Sequence, residues 1–349
     1  MSFATGRSRR RLRLGGLALL AIIALAAVLV VRFDVPLERI LTVGFLNRTL
    51  MLASPIALAA VGGLYAEKSG VFNIGLEGFM IFGAITAAAT LSLVGASSQL
   101  HVWIAIVAAI GVSLALTAGY AVLLIRYKAD QIVAGLAVWF IGLGFAPFLA
   151  SLLWGTVRSP GLASVNRYSI PYLAEVPVVG PILFNQSPLV VLTLVVVVAA
   201  WVVLYRTRYG YWVQAAGENP TALDTAGIDV NRVRYATVLF SGVMAGLGGA
   251  VLLAHAGTFI GTGDTMVDGR GWIAIVAYLF GNYNPIGAAL AALLFGGLEG
   301  LQVQFQTVDI AVSGRLMGLL PYVGVIVVLT VWGKTRMPSS VGEPYESEE

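Results

Sequence analysis

Residues 65–84 read YAEKSGVFNIGLEGFMIFGA, placing Glu67 and Lys68 beside an apolar run and a second acid, Glu77, inside it. The surroundings of that second acid decide the fold. The chain has 349 residues, 58% of them hydrophobic and only 11% charged, with a mean hydropathy of +0.89. That is too much apolar surface for an ordinary soluble protein. The apolar runs are long and helical in character rather than alternating, so the fold class is an all-α integral membrane protein. Forty-one glycines fit that class, because glycine lets membrane helices approach closely. With no cysteine and two histidines, His101 and His255, disulfides and thiol chemistry are excluded and a Cys/His metal site lacks ligands.

Working outward from Glu77, the apolar runs predict about ten transmembrane segments, near 14–31, 42–65, 70–95, 102–125, 131–154, 188–205, 236–257, 271–281, 285–304 and 316–333. The eighth is too short to span, and Pro55 is expected to interrupt the second. The first follows a basic stretch, residues 1–13, in the manner of a signal peptide. Its Ala24-Leu25-Ala26 triplet lies inside a run that continues to Val31, which reads as an uncleaved helix. The Lys/Arg bias of the short loops sets the orientation. With the N-terminus inside, 14 of the 21 Lys and Arg fall inside, so both termini are expected in the cytoplasm. Residues 14–333 then form one transmembrane domain, with 156–187 an extracytoplasmic loop and 206–235 a cytoplasmic one. The acidic tail, 334–349, is expected to be disordered. Glu67 and Lys68 fall in a short cytoplasmic turn. The basic balance follows from topology and carries no sign of nucleic-acid binding.

A faint internal echo relates LAAVGGLYAEKSGVFNIG from Leu58 to MAGLGGAVLLAHAGTFIG from Met244, and EGFMI at Glu77 to RGWIA at Arg270. The two copies enter from opposite sides, as an inverted repeat of segments 2–5 and 7–10 would, although small residues common to membrane helices produce such echoes by chance as well.

In the inner loop, AAGENPTALDTAGIDVNRVRY, Asn219 caps and Pro220 opens a short helix over Thr221 to Ala226. Gly227 stops it, and a second helix restarts near Asp229. The product is a knob of small residues suited to a partner's groove. By its residues alone the stretch serves equally as a solvated turn.

Three stretches, SGVFNIGLEGFMIFGA, AAGENPTALDTAGIDVNRVRY and GRGWIAIVAYLFGNYNPIGAALAALLFG, occur in order and resemble patterns of the permease subunits of ABC importers for branched-chain amino acids, simple sugars and nucleosides. They are most similar to those of the nucleoside (guanosine/uridine-type) permeases. The resemblance spans about Leu46 to Trp332 and misses the N-terminal extension and the outer loop. It implies a permease, not an enzyme, in the plasma membrane, working with a second homologous permease, a cytoplasmic ABC ATPase and an extracytoplasmic substrate-binding lipoprotein. It also implies that residues Gly217, Glu218, Asn219, Pro220, Ala222, Thr225, Ala226, Gly227 and Ile228 meet the ATPase. No cofactor is expected in this chain; ATP and Mg would be bound by the partner. WGKT at Trp332 is no phosphate loop, since the glycine such a loop needs is Val328.

A charge at membrane depth costs at least ~2.5 kcal/mol, so Glu77 and Arg270 must face the interior and find partners. Under the resemblance, half-helices beginning near Asn73 and Arg270 line the path. Asn73, Glu77, Arg270, Asn282 and Asn284 would offer polar contacts to a nucleoside, and Phe72, Trp272 and Tyr283 aromatic faces. The competing reading makes Glu77 and Arg270 structural pairs, with each other or with neighbours. Trp103, Trp139, Trp154, Trp201 and Trp212 read as interface anchors. A secondary transporter also suits a repeat with a buried acid. An intramembrane enzyme finds no HExxH, Ser/His or paired-carboxylate arrangement here.

Overall fold

The computed structural model describes residues 42–307 except 96–97, 170 and 178, together with 319, 323, 326 and 336–346. The expected first segment and basic N-terminus lie outside the described residues, as does nearly all of the tenth segment. Among the described residues, helices α1 (Val43–Lys68), α2 (Leu76–Val94), α3 (Gln99–Ala121, prolonged by a π-helical turn over Val122–Arg126) and α4 (Gln131–Trp154) come first. A short helix α5 (Val179–Leu183) follows, flanked by strands β1 (Tyr168–Ser169) and β2 (Asn185–Gln186), which pair antiparallel. Then come α6 (Pro188–Arg206), α7 (Arg208–Glu218), α8 (Pro220–Thr225), α9 (Val230–Ala256), α10 (Arg270–Phe280) and α11 (Pro285–Thr307).

Seven of these helices are long and apolar enough to cross a membrane. The eight expected segments that fall within the described residues coincide with α1–α4, α6 and α9–α11. Pro55 lies inside α1 without ending it, contrary to expectation. Starts are fixed by side-chain caps where the chain leaves a loop: Asp130 accepts from Ile132 and Val133, Ser187 from Leu189, and Asp229 from Arg232. At 11 residues, α10 is about 16 Å long and reaches only halfway across a core of about 30 Å.

The centre is the pair α1 and α9, whose most apolar stretches are 78% and 72% buried, against 17% for α4. Helices α2 and α3 pack on α9, while α10 and α11 pack on α1. Small residues make this possible: a Cβ on Gly62 of α1 would lie 2.8 Å from the Met244 Cβ of α9. Close backbone approach maximises dispersion contact where lipid offers no hydrophobic drive.

Two expectations fail at the end of the bundle that carries Lys68, Arg126, Arg206 and Arg234, here the basic end. Glu67 is not in a solvated turn; it lies in the last turn of α1 and is fully buried. The tail is not disordered over 336–346. Its backbone N–H groups find carbonyls left open at two glycine positions, Ser340 bonding Gly217 and Gly342 bonding Gly70.

Candidate functional site

Helices α2 and α10 start side by side within the bundle. Gly269 N-caps α10 with φ +79° and brings no side chain to its free amides. Glu77, from the first turn of α2 and 1% exposed, supplies what is missing. Its Oε1 accepts from the Gly269 N–H at 2.9 Å and its Oε2 from the Gly271 N–H at 2.6 Å. Only glycine permits this approach, since a Cβ on Gly271 would lie 2.5 Å from the Glu77 Cα. Each helix start carries roughly +0.5 charge, so the carboxylate sits at two positive ends at once, its own and its neighbour's. That answers what an acid does in an apolar run.

Glu77 and Arg270 are not hydrogen-bonded to each other. The Arg270 guanidinium turns back to the Met266 and Val267 carbonyls (3.1 and 2.9 Å) and pairs with Glu299 of α11. This pair is largely buried, and Glu299, an acid in an apolar run like Glu77, carries the same mark in the sequence although it was not among the expected site residues. The Arg270 Nε remains a buried donor without a partner.

Asn73 is wholly buried, its Nδ2 donating to Ser241 Oγ (2.9 Å) and its Oδ1 accepting from the Gly75 N–H (3.0 Å). It shapes the α1–α2 turn. The half-buried Phe72 donates its N–H to Gln131 Oε1 at 2.6 Å, tying that turn to the start of α4. Trp272 meets Trp139 edge to face, ring centres 5.4 Å apart. Trp139 is therefore part of this neighbourhood rather than an interface anchor, and its buried Nε1 has no partner.

Asn282, Tyr283 and Asn284 stand apart from these residues, at the far end of α10. Asn282 Oδ1 accepts from the Arg336 N–H (3.2 Å), and Asn284 Oδ1 caps α11 through the Ile286 N–H (2.9 Å). The Tyr283 hydroxyl donates to Glu67 Oε1 at 2.5 Å. Burial first, then that carboxylate, raises the Tyr283 phenol above its ordinary value, which keeps it a donor. A short helix thus has an acid at each end. Backbone amides serve the one at its start, and a tyrosine hydroxyl serves the one at its finish, where amides are already used.

At the basic end, α7 and α8 form the knob. Asn219 caps α8 by accepting from the Ala222 N–H (3.0 Å), Pro220 opens it, and Gly227 leaves it at φ +79°. Glu218, Asn219, Ala222, Thr225, Ala226 and Gly227 are exposed, while Pro220 and Ile228 are half-buried. Gly217 points inward, where a Cβ would run into the Lys68 carbonyl. Beside the knob lies a groove of ≈ 410 Å³ lined by Tyr209, Trp212, Ile228 and Arg232, among others.

Apolar spanning helices, a half-length helix whose start is neutralised from inside the bundle, and a helical knob beyond it define a multi-pass helical membrane protein. The chain belongs to the family described as the branched-chain amino acid transport system / permease component, whose profile matches residues 45–329. It is 34% identical to the guanosine ABC transporter permease protein NupQ of Bacillus subtilis, over 85% of this chain and 94% of that one. Identity is also 34% to the nucleoside ABC transporter permease protein NupC of Lactococcus lactis, with the same coverage. A third relative, from Haloferax volcanii and provisionally named a glucose ABC transporter permease protein, TsgC13, is 30% identical over 87% of this chain and 98% of its own. No solved structure matches.

Proposed function

We propose that this chain is the membrane-spanning subunit of an ATP-driven importer of nucleosides in the plasma membrane. The observation that carries the substrate class is the 34% identity, over nearly the full length of both, to relatives named for guanosine and for nucleosides. Both termini and the α7–α8 knob lie in the cytoplasm, as the Lys/Arg bias indicates. There the exposed residues from Glu218 to Gly227 meet a separate ABC ATPase that binds ATP and Mg. A second homologous permease completes the path, and an extracytoplasmic lipoprotein delivers the substrate.

Segments 2–5 and 7–10 of the sequence form an inverted repeat, α1–α4 against α9 onward among the described residues. What supports the repeat is the exchange of contacts: α2 and α3 lean on α9 as α10 and α11 lean on α1. Translocation proceeds by a shift between two packings of these halves, driven by ATP binding and hydrolysis. Trp139, Trp272 and Phe72, half-buried aromatics around the Glu77 junction, give the base a stacking surface, and the junction is where the two half-helices part.

Uptake of labelled guanosine and uridine tests this. Cells lacking the chain lose it; in wild-type cells it survives a protonophore and stops when ATP is depleted. Uptake that follows the ion gradient would mean a secondary transporter. The glucose-named relative supports a second reading, a sugar permease. Lost glucose uptake with nucleoside uptake intact would establish that reading in place of the first.

A further inference from the structure

Residues 336–346 cross the basic end in one continuous run whose bonds fall on turn after turn. The Arg336 N–H bonds Asn282, between α10 and α11. Ser339 Oγ donates to Glu218 Oε2 (3.0 Å) and the Ser340 N–H to the Gly217 carbonyl (2.9 Å), both at the end of α7. The Gly342 N–H reaches the Gly70 carbonyl (3.1 Å), between α1 and α2. The Glu343 carbonyl accepts from Arg234 Nη1 (2.9 Å) of α9. The Tyr345 hydroxyl donates to Asp224 Oδ2 (2.7 Å) of α8, and its ring lies 5.9 Å from the Arg234 guanidinium. Glu346 pairs with Lys128, between α3 and α4.

Three features give this run a job. Gly217 and Gly70 already touch, a Cβ on Gly217 lying 3.1 Å from the Gly70 nitrogen, and the tail bonds the carbonyls of both. The knob's core is small, Ala216, Leu223 and Val230 with Trp212, Ala215, Ile228 and Val233 packed around them, and Tyr345 of the tail completes that shell over a six-residue helix that cannot sustain itself. Finally, Tyr345 enters on the side of the half-buried Asp224 and leaves Thr221, Ala222, Thr225 and Ala226 exposed. The tail therefore supports the knob from behind and leaves its outer face open.

We infer that residues 339–346 are a strap that makes the α7–α8 knob and the α1–α2 turn one lever, with Tyr345 its positioning residue. The lever rests on the proposal that the knob meets an ATPase. A push on α8 then passes through Gly217 and Gly70 into the short turn that leads to Glu77, instead of being absorbed by a compliant loop.

The test uses the full chain assembled with its partner subunits, in wild type, with a stop at Ser339, and as Tyr345→Ala and Tyr345→Phe. Two quantities are read: hydrogen exchange at the amides of residues 217–228, and nucleoside carried per ATP hydrolysed. Truncation and Tyr345→Ala are expected to speed exchange in α8 about tenfold, and to lower transport per ATP by a similar factor while hydrolysis continues. Tyr345→Phe, which keeps the ring beside Arg234 and loses the hydroxyl, falls between. Should the truncated chain fail to reach the membrane, Tyr345→Ala carries the test alone. Unchanged exchange in Tyr345→Ala overturns the strap. Faster exchange with transport per ATP unchanged overturns the lever. A wild-type complex that carries no nucleoside, yet shows tail-dependent exchange, overturns the substrate reading and supports the strap.

Discussion

At the scale of single residues, Glu77 is held by backbone, which sets what a substitution must do. Its two acceptors serve the Gly269 and Gly271 amides, so removing them strands two buried donors. Each orphan costs about 1–3 kcal/mol. Glu77→Gln keeps the shape and one good acceptor, and loses one bond along with the charge that suits two helix starts. Glu77→Leu loses both bonds. Transport, normalised to the amount of chain in the membrane, is therefore expected to fall partially for Gln and to near nothing for Leu. Equal and complete loss in both would show that the charge itself, not the capping, is needed. The importance of Glu77 was legible in the sequence, because an acid in an apolar run demands a partner. The partner was not, for the amides it serves belong to glycines 192 and 194 positions away, and a backbone donor leaves no mark on residue type. Glu67 was misread for a related reason. A carboxylate at the edge of an apolar run looks solvated until Tyr283, 216 positions on, is folded over it.

Between elements, the Arg270–Glu299 pair is a polar link between α10 and α11 that burial makes expensive to break. Its side chains are 12% and 22% exposed. Removing one partner of a buried pair costs about 3–5 kcal/mol, because the other charge is stranded, whereas replacing both by apolar groups is often close to neutral. Arg270→Met and Glu299→Met are each expected to lower the thermal midpoint of the purified chain in detergent, with the double variant recovering most of the loss. A double variant as unstable as the sum of the two singles would mean that the groups act separately, Arg270 through the Met266 and Val267 carbonyls. Helices themselves were the most legible level: apolar runs, the Asn219 cap and the restart near Asp229 foretold their order and place. The tail was the least legible. Its acidity and lack of periodicity argue for disorder, and the contacts that hold it include backbone bonds to Gly70 and Gly217 that no pattern in its own sequence announces.

For the whole molecule, orientation is the property on which the proposed mechanism depends, because an ATPase can push on the knob only from the cytoplasm. The Lys/Arg bias is a statistical argument, but the chain offers a direct one: it contains no cysteine, so any thiol introduced is the only one present. Tyr172, 84% exposed in the loop between α4 and α6, and Ala226, exposed on the knob, lie at opposite ends of the bundle. Neither makes a side-chain hydrogen bond that a cysteine would remove. In intact cells a membrane-impermeant maleimide is expected to label Tyr172→Cys and to leave Ala226→Cys unlabelled until the membrane is permeabilised. The reverse pattern would put the knob outside, out of reach of any ATPase, and would remove the ATP-driven reading along with the lever. Labelling of both sites in intact cells, with a cytoplasmic control protein protected, would mean that the chain inserts in two orientations. A charge bias of two to one would then be too weak to fix topology.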